Sequence, residues 1–417
     1  MAGPRPRVIV DATALLGETV LHGIGRFIAD LLHGLAATRD DWEDTIQVEA
    51  LVDLPLAGAP RISADLAAAV DEAARAPRSP DFYNAARRWL AVGRVVRGRA
   101  SAIHLPHPEG FPLVPPTRSI ITCHDLIPLE YPAEYIGSPA LHALKYAVNW
   151  HRYRMPTRVV AISEKTRQAL SILRVPPERI DVVPNGIHME QWNPSEARLR
   201  AGIRYSPGFG SLSRAAPEAA PGPRPLAGAD AAPSRQGGVG SRPYVLYVGY
   251  CDYRKNIHKM LETIAIVRRS LDVDLLWAGE LPKARIEGIR RDAQELGVLE
   301  HVRFLGYVPD RELADLYRGA IALLFLSRLE GFGLPVAEAM ASGCPVIVAN
   351  GSGSDAVAGS AGIVVDPDDA GAAAAAVELL SNPDNRHRYA RLGQDRVVRF
   401  DRRNMARGYI ESYRRAF

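Results

Sequence analysis

Short apolar runs alternate with segments of helical period along this chain, and they do so twice, on either side of a stretch with neither pattern. In the first half, "RVIV" (7–10), "IQVEALV" (46–52), "RSIITCHD" (118–125) and "TRVVAIS" (157–163) read as buried strands. "GIGRFIADLLHGLAATR" and "SEKTRQALSIL" read as helices, the latter with Ser163 as N-cap. In the second half, "PYVLYVG" (243–249), "VDLLWAG" (273–279), "HVRFLG" (301–306), "IALLFLS" (321–327), "PVIVAN" (345–350) and "GIVVD" (362–366) read as six further strands separated by helices. Parallel strands need crossover connections, and a helix is the usual one. The pattern therefore predicts an α/β protein of two Rossmann-like, doubly wound domains facing a cleft. Residues 205–241, rich in Pro, Gly, Ala and Ser, offer too little apolar surface to offset ordering and are expected to be a flexible insertion or linker. The expected division is 1–204 for the first domain, 242–399 for the second, and 400–417 for a C-terminal helix crossing back to the first.

Composition narrows the partners. A formal net charge of +4 over 417 residues suits anionic small molecules or an anionic membrane surface and is too weak to argue for nucleic acid. Cys123, Cys251 and Cys344 are widely separated, with no metal-ligand spacing, which fits a reducing cytosol. No apolar run approaches the ~18 residues that would suggest a membrane span. The N-terminus has no secretory h-region. A cytoplasmic protein is expected, at most peripheral to a membrane.

Ligands of open α/β sheets bind beyond the carboxyl ends of the strands. Chemistry gathers at those ends in the second half. "SRLEGFGLPVAEAM" follows one strand: Glu330 precedes Gly331, Phe332 and Gly333, and a helix is expected to start near Leu334 or Pro335, with Glu338 about one turn in. Such a helix start presents unpaired N–H groups, and the glycines let a ligand reach the backbone, which makes a cradle for phosphate or polyol. A buried helix start with a solvated Glu338 is the plain alternative. "GYCDYRKN" follows another strand, and Arg254 and Lys255 suit a diphosphate, Arg as a fork and Lys as a point charge. In the first half, "LHGIGRF" opens a helix with Gly23 and Gly25 but lacks the spacing of a dinucleotide fingerprint. His124 and Asp125 stand at another strand end, although a lone histidine is more often a packed or surface residue, and that plain reading is favoured more strongly for His104 and His107.

With these residues assembled, the sequence resembles the family 4 glycosyltransferases, the "glycosyl transferases group 1" type with the GT-B fold. The resemblance is carried by "LYVGYCDYRKN", "VRFLGYVPDRELADLYRGA", "LSRLEGFGLPVAEAMASGCPVIVAN" and "AGIVVDPDD", and more weakly by "GIGRF", "CHDLIPL" and "RVVAISEKTRQAL" with "VPPERIDVVPNGI". Within the family it looks most like bacterial O-antigen and polysaccharide mannosyltransferases. It implies a retaining transfer from a nucleotide-diphosphate sugar to a glycan or lipid-linked acceptor, with no cofactor and no essential metal. It implies that Glu330 contacts the donor sugar, that Glu338 binds the ribose and that Arg254 and Lys255 hold the diphosphate. His124 would sit by the sugar, Tyr307 and Val308 would border the base, and Gly249, Gly23 and Gly25 would line the donor. Two departures stand out: Tyr250 follows the strand-end Gly249 where some relatives have Arg, and Gly353-Ser354-Asp355 replaces a Leu-Pro-Glu turn. GDP-mannose or a related GDP-sugar is the expected donor, with UDP- and dTDP-sugars open.

Two other classes remain at this point, a non-catalytic nucleotide- or glycan-binding relative and a nucleotide-sugar epimerase of the same fold. A nicotinamide enzyme is disfavoured because no G-x-G-x-x-G directly follows a strand. The arginine-dense C-terminal segment reads as a solvated helical face. Residues 138–158 mix Leu, Tyr and Trp with Lys and Arg; ordinary packing or an interfacial helix at an anionic membrane both fit.

Overall fold

The computed structural model describes residues 5–16, 23–53, 61–75, 100–108, 118–193 and 242–417. The 205–241 segment lies outside them. The described residues divide into two compact units, one running to Ile187 and resuming at Phe400–Phe417, the other running from His188 to Arg399.

The first unit is built on a seven-stranded sheet: β1 (Arg7–Asp11), β2 (Gln47–Asp53), β3 (Arg61–Ser63), β4 (Ala102–Leu105), β5 (Arg118–Cys123), β6 (Arg158–Ala161) and β7 (Ile180–Val182), in the order β3-β2-β1-β4-β5-β6-β7. All pairings are parallel except β2 with β3. Helix α1 (Gly23–Ala37) buries Phe27, Ile28, Leu31, Leu32 and Leu35, the three-and-four spacing of one helical face. Helix α2 (Pro139–Arg154) follows the loop after β5. Ser163 caps the helix Glu164–Ala169 as its sequence predicts, its Oγ accepting from the Thr166 N–H at 3.0 Å.

The second unit carries six parallel strands, β8 (Tyr244–Val248), β9 (Asp274–Ala278), β10 (Val302–Gly306), β11 (Leu323–Phe325), β12 (Val346–Ala349) and β13 (Ile363–Val365), in the order β10-β9-β8-β11-β12-β13. This is the doubly wound order, and it reverses between β8 and β11. Helix α3 (Ile257–Val267) follows β8, and α4 (Leu334–Ala341) follows β11. All six strands expected in this half are present.

Helix α5 (Arg402–Arg414) belongs to the first unit. Ile187 N–H donates to the Phe400 carbonyl at 2.8 Å, and Arg402 N–H returns the bond to Ile187 at 3.1 Å. Asp181 at the sheet edge accepts from Arg158, Ser412 and Arg415, which ties β7 to α5. Burial pushes the Asp181 carboxyl up, but these donors outweigh it and hold it below its ordinary range.

Two expectations need correction. The first domain was expected to run to residue 204, but the division falls between Ile187 and His188. Trp192 is buried edge-on against Tyr317, with ring centroids 5.9 Å apart, and Gln191 donates to Asp310 at 2.6 Å, so this segment packs with the second unit. The second correction is β4. "AIHL" was read only for its histidine, yet it is the strand between β1 and β5. Four residues with a histidine among them give no periodic signal; flanking strands on both sides complete the pairing.

Candidate active site

In the second unit the chain reverses its winding between β8 and β11, and the chemistry collects at the carboxyl ends of those two strands. After β8 the chain passes Gly249, makes a single 3-10 turn at Tyr253–Lys255, and enters α3 through Asn256 in the left-handed region (φ 56°). Asn256 is held there by its side-chain amide, which donates to the Pro367 carbonyl at 2.6 Å. The turn lays Arg254 and Lys255 toward the loop after β11. There Lys255 Nζ donates to Glu330 Oε1 at 2.6 Å, and Arg254 Nη1 donates to Glu330 Oε2 at 2.5 Å. The three residues named from sequence for two separate jobs, cations for a diphosphate and a carboxylate for a sugar, thus form one buried ion cluster.

Asp252 extends it, accepting from Arg254 Nε at 3.1 Å. With Asp252, Arg254, Lys255 and Glu330 the formal charges cancel. An arriving anion therefore meets donors rather than a bare excess of charge. Lys255 has three N–H donors and Glu330 takes one. Burial pushes the Glu330 carboxyl up, but Lys255 and Arg254 beside it overcome that and hold it below the usual carboxylate range. Glu330 is therefore an anion at neutral pH.

The backbone of this loop is fixed from the next strand. Glu330 N–H donates to the Ser352 carbonyl at 2.6 Å, and Arg328 N–H donates to the Arg254 carbonyl at 2.7 Å. Ser352 stands in the Gly-Ser-Gly-Ser-Asp stretch after β12, where Asp355 accepts from the Gly351 and Gly353 N–H groups at 2.8 and 2.9 Å. The segment that departs from the usual Leu-Pro-Glu turn is thus the support of Glu330's main chain. The sequence reading missed Ser352, although it lies just beyond the strand read at 345–350.

Helix α4 begins at Leu334, as expected. Gly333, its N-cap, lies at φ 100°, and a Cβ there would stand 2.8 Å from Ser354 Cβ. Pro335 has no N–H, and Val336 N–H turns back on the Gly333 carbonyl at 3.0 Å. The N–H groups of Gly333 and Leu334 take no partner among the described residues, so backbone donors are available at the mouth of α4. Glu338 is buried one turn in, where it accepts from the Tyr317 hydroxyl at 3.3 Å. It is not the solvated carboxylate of the plain alternative.

Gly249, Gly279 and Gly306 end β8, β9 and β10, all at positive φ (146°, 148° and 67°). Gly279 N–H donates to the Gly306 carbonyl at 2.8 Å, and a Cβ on Gly279 would collide with the Gly249 carbonyl oxygen. Without side chains the ends of β8 and β9 approach closely, and a Cβ on Gly306 would meet nothing within 4 Å. Tyr307, exposed, and Val308, half-buried, follow Gly306.

In the first unit, His124 follows β5. Its Nε2 donates to the Pro106 carbonyl at 2.8 Å, and Phe27 packs against it edge-on at 4.9 Å. Burial pushes its pKa down. The imidazole is therefore neutral with Nδ1 as acceptor. Asp125, exposed, accepts from the Ile127 N–H at 3.2 Å and starts a short helix. Gly23 opens α1 with open space around it, and Gly25 is buried within the first turn. His104 is fully buried between the Thr122 and Tyr413 hydroxyls at 2.9 and 2.8 Å, and burial pushes its pKa down to about 3, so it is a packed histidine. Among the described residues no group of three or more His, Cys, Asp or Glu side chains stands where it could hold a metal ion.

These features, a doubly wound unit with an ion cluster and open backbone donors at its switch point, define a class of nucleotide-binding α/β proteins. Comparison narrows the class. Residues 231–396 match the family model for glycosyl transferases group 1, and residues 21–191 match that for Glycosyltransferase Family 4. The chain belongs to this family of glycosyltransferases. It is 36% identical over 135 residues to the O-antigen chain mannosyltransferase B of Escherichia coli, covering 32% of this chain and 35% of that protein. The match to four curated relatives spans 35 to 42% of their length. Among solved structures, sucrose-phosphate synthase from Thermosynechococcus elongatus superposes with a TM-score of 0.65 at 20% identity, over 98% of both chains. HepE from Anabaena in complex with UDP-glucose superposes with 0.64 at 15% identity, over 99% of this chain and 100% of that one. Those likenesses establish the GT-B fold class.

Proposed function

We propose that this chain is a retaining glycosyltransferase that moves a hexose from a nucleoside-diphosphate sugar to a glycan or lipid-linked saccharide, in the assembly of a cell-surface polysaccharide such as an O-antigen. The observation that carries this reading is the Arg254–Lys255–Glu330 cluster at the carboxyl ends of β8 and β11. Transfer breaks the bond between the anomeric carbon and the diphosphate oxygen and forms one from that carbon to the acceptor oxygen on the same face. The departing diphosphate gains negative charge, which Lys255, Arg254 and the Gly333 and Leu334 N–H groups are arranged to receive. Glu330 keeps the two cations in position and sets a negative charge near the developing oxocarbenium ion. The acceptor hydroxyl's proton passes to a phosphate oxygen of the leaving group, so no second protein carboxylate is required. Glu338 is assigned the ribose hydroxyls, and Tyr307 and Val308 the base.

GDP-mannose is the first donor to test. The likeness to the E. coli mannosyltransferase supports it, whereas HepE was solved with UDP-glucose. Calorimetry against GDP, UDP and dTDP is expected to single out one nucleotide in the micromolar range, with Lys255→Ala weakening it at least tenfold. A transfer assay with that donor and a lipid-linked saccharide then separates transfer from mere binding or epimerisation. Absence of binding by all three nucleotides, or an unchanged affinity in Lys255→Ala, would overturn the assignment.

A further inference from the structure

The loop that carries Glu330 is held from outside the ion cluster as well as from within it. Arg328, two residues before Glu330, reaches the turn after β13. Its Nη1 donates to Asp368 Oδ2 at 2.9 Å and its Nη2 to Asp368 Oδ1, the two parallel bonds of a guanidinium on a carboxylate. The same Nη2 donates to Asn256 Oδ1 at 3.3 Å. Asn256 in turn gives its amide to the carbonyl of Pro367, the neighbour of Asp368. Three side chains thus join the loops after β8, β11 and β13, although β13 stands at the sheet edge and pairs with β12 alone.

The turn after β13 is a firm anchor. Asp366 accepts from the Asp368 N–H at 2.8 Å, and Asp369 caps the helix Ala370–Ser381 by accepting from the Ala372 N–H at 2.8 Å. That helix packs on α3, which Asn256 opens. At its other end Arg328 is bound to the cation turn. Its N–H donates to the Arg254 carbonyl at 2.7 Å, and Arg254 Nη1 donates to the Leu329 carbonyl at 3.1 Å. The groups that shift when Asp368 lets go are therefore those of the Arg254–Lys255 turn and the Glu330 loop. Asp368 itself is 62% exposed, and an ion pair so open to water adds little to fold stability. What a fork on a carboxylate does fix is distance and direction together.

We propose that Asp368, acting through Arg328 and Asn256, is a positioning residue for transfer, and that it sets the spacing between the Arg254–Lys255 turn and Glu330. The kinetic consequence rests on the transferase reading above; the spacing itself is read in unfolding without any ligand. Loss of the pair leaves both cations and the carboxylate present but lets their loops drift. A diphosphate still finds its donors, so donor binding changes little. The transition state needs all three groups in place at once, and a misplacement of about 1 Å can cost about a hundredfold in rate.

Two variants of the full chain test it. Asp368→Asn keeps the shape and ends the ion pair, and Arg328→Lys keeps the charge but cannot form the fork. In the transfer assay above, with GDP-mannose as donor or UDP-glucose should calorimetry favour UDP, both should lower kcat at least about tenfold and change the donor KM less than about threefold. Asp368→Glu, which still accepts both bonds, should recover most of the turnover. The ligand-free arm is a thermal-unfolding cycle of Asp368→Asn with Glu330→Gln. The exposed pair contributes little by itself, so stability lost with it is lost through the cluster. Glu330→Gln should then lower the melting temperature in the Asp368→Asn background by less than half of what it does alone. Wild-type turnover in both single variants, or a full Glu330→Gln effect in that background, would overturn the proposal. A wild-type chain that transfers no sugar sinks the transferase reading instead, and the unfolding cycle then decides the spacing alone.

Discussion

Replacing Glu330 by Gln takes one negative charge from between two cations while keeping the shape. At present Glu330 accepts from Lys255 at 2.6 Å and from Arg254 at 2.5 Å, and the Lys255 and Glu330 side chains are each only 9% exposed. Hydrogen bonds to charged groups contribute about 1.5–3 kcal/mol, and leaving a buried charge without its partner costs about 3–5 kcal/mol. The amide oxygen still accepts one bond, and Arg254 keeps Asp252 at 3.1 Å. The loss should therefore fall near the low end, about 2 kcal/mol. In a unit of this size ~1 kcal/mol moves the melting temperature by about 2–4 °C, so a drop of about 4–8 °C is expected. The pH dependence has a definite sign. Lys255 and Arg254 hold the folded carboxyl below its unfolded value of about 4.3. Its stabilisation is thus present above that value and is lost as pH falls through the folded pKa. Thermal unfolding of both proteins should show the gap at pH 7 and its narrowing below about pH 4. With the donor identified, turnover should fall more than a hundredfold, equivalent to about 3 kcal/mol of transition-state stabilisation. Equal melting temperatures at pH 7 would refute the ion cluster as a stabilising unit, and near-normal turnover would refute its catalytic role.

Gly279→Ala should destabilise the second unit by at least about 2 kcal/mol, since φ is 148° and the new Cβ meets the Gly249 carbonyl; an unchanged denaturant midpoint would contradict this close approach. Buried His104 has its pKa pushed down from 6.5 to about 3, so the unfolded chain binds the extra proton and stability falls as pH drops through that window. His104→Gln should flatten the slope by up to about 1.4 kcal/mol per pH unit in urea titrations, while His33, lowered to about 4, and His124 keep part of it. Transfer should persist in excess EDTA, because the proposed diphosphate site uses Arg254, Lys255 and backbone N–H groups; loss with EDTA and recovery with magnesium or manganese would show a metal-dependent route.

Much of this protein was legible because its signals are local. Strands covered on both faces are runs of Val, Ile and Leu, and helices between them keep a 3.6-residue period, so all six strands of the second unit could be read directly. The strand-end rule then found Glu330, Arg254 and Lys255 without any knowledge of their distances. Short elements escaped it. β4 is four residues long and holds a histidine, and only β1 and β5 on either side make it a strand. The domain boundary escaped for a related reason: Trp192 belongs with the second unit because Tyr317, 125 positions later, receives it.

What the sequence determined by itself was the class of fold, through periodicity, and the identity of the charged groups at strand ends. Only the tertiary structure decided that Glu330 and its two cations form one compensated cluster, that Ser352 holds its main chain, and that Glu338 is buried beside Tyr317. It also decided that Leu141, Leu144 and Val148 of α2 stay exposed. The physical reason is the same in each case. Burial and the hydrogen bonds available to a side chain depend on groups distant in sequence, and one helical pattern can face either way until the rest of the chain chooses which side to cover.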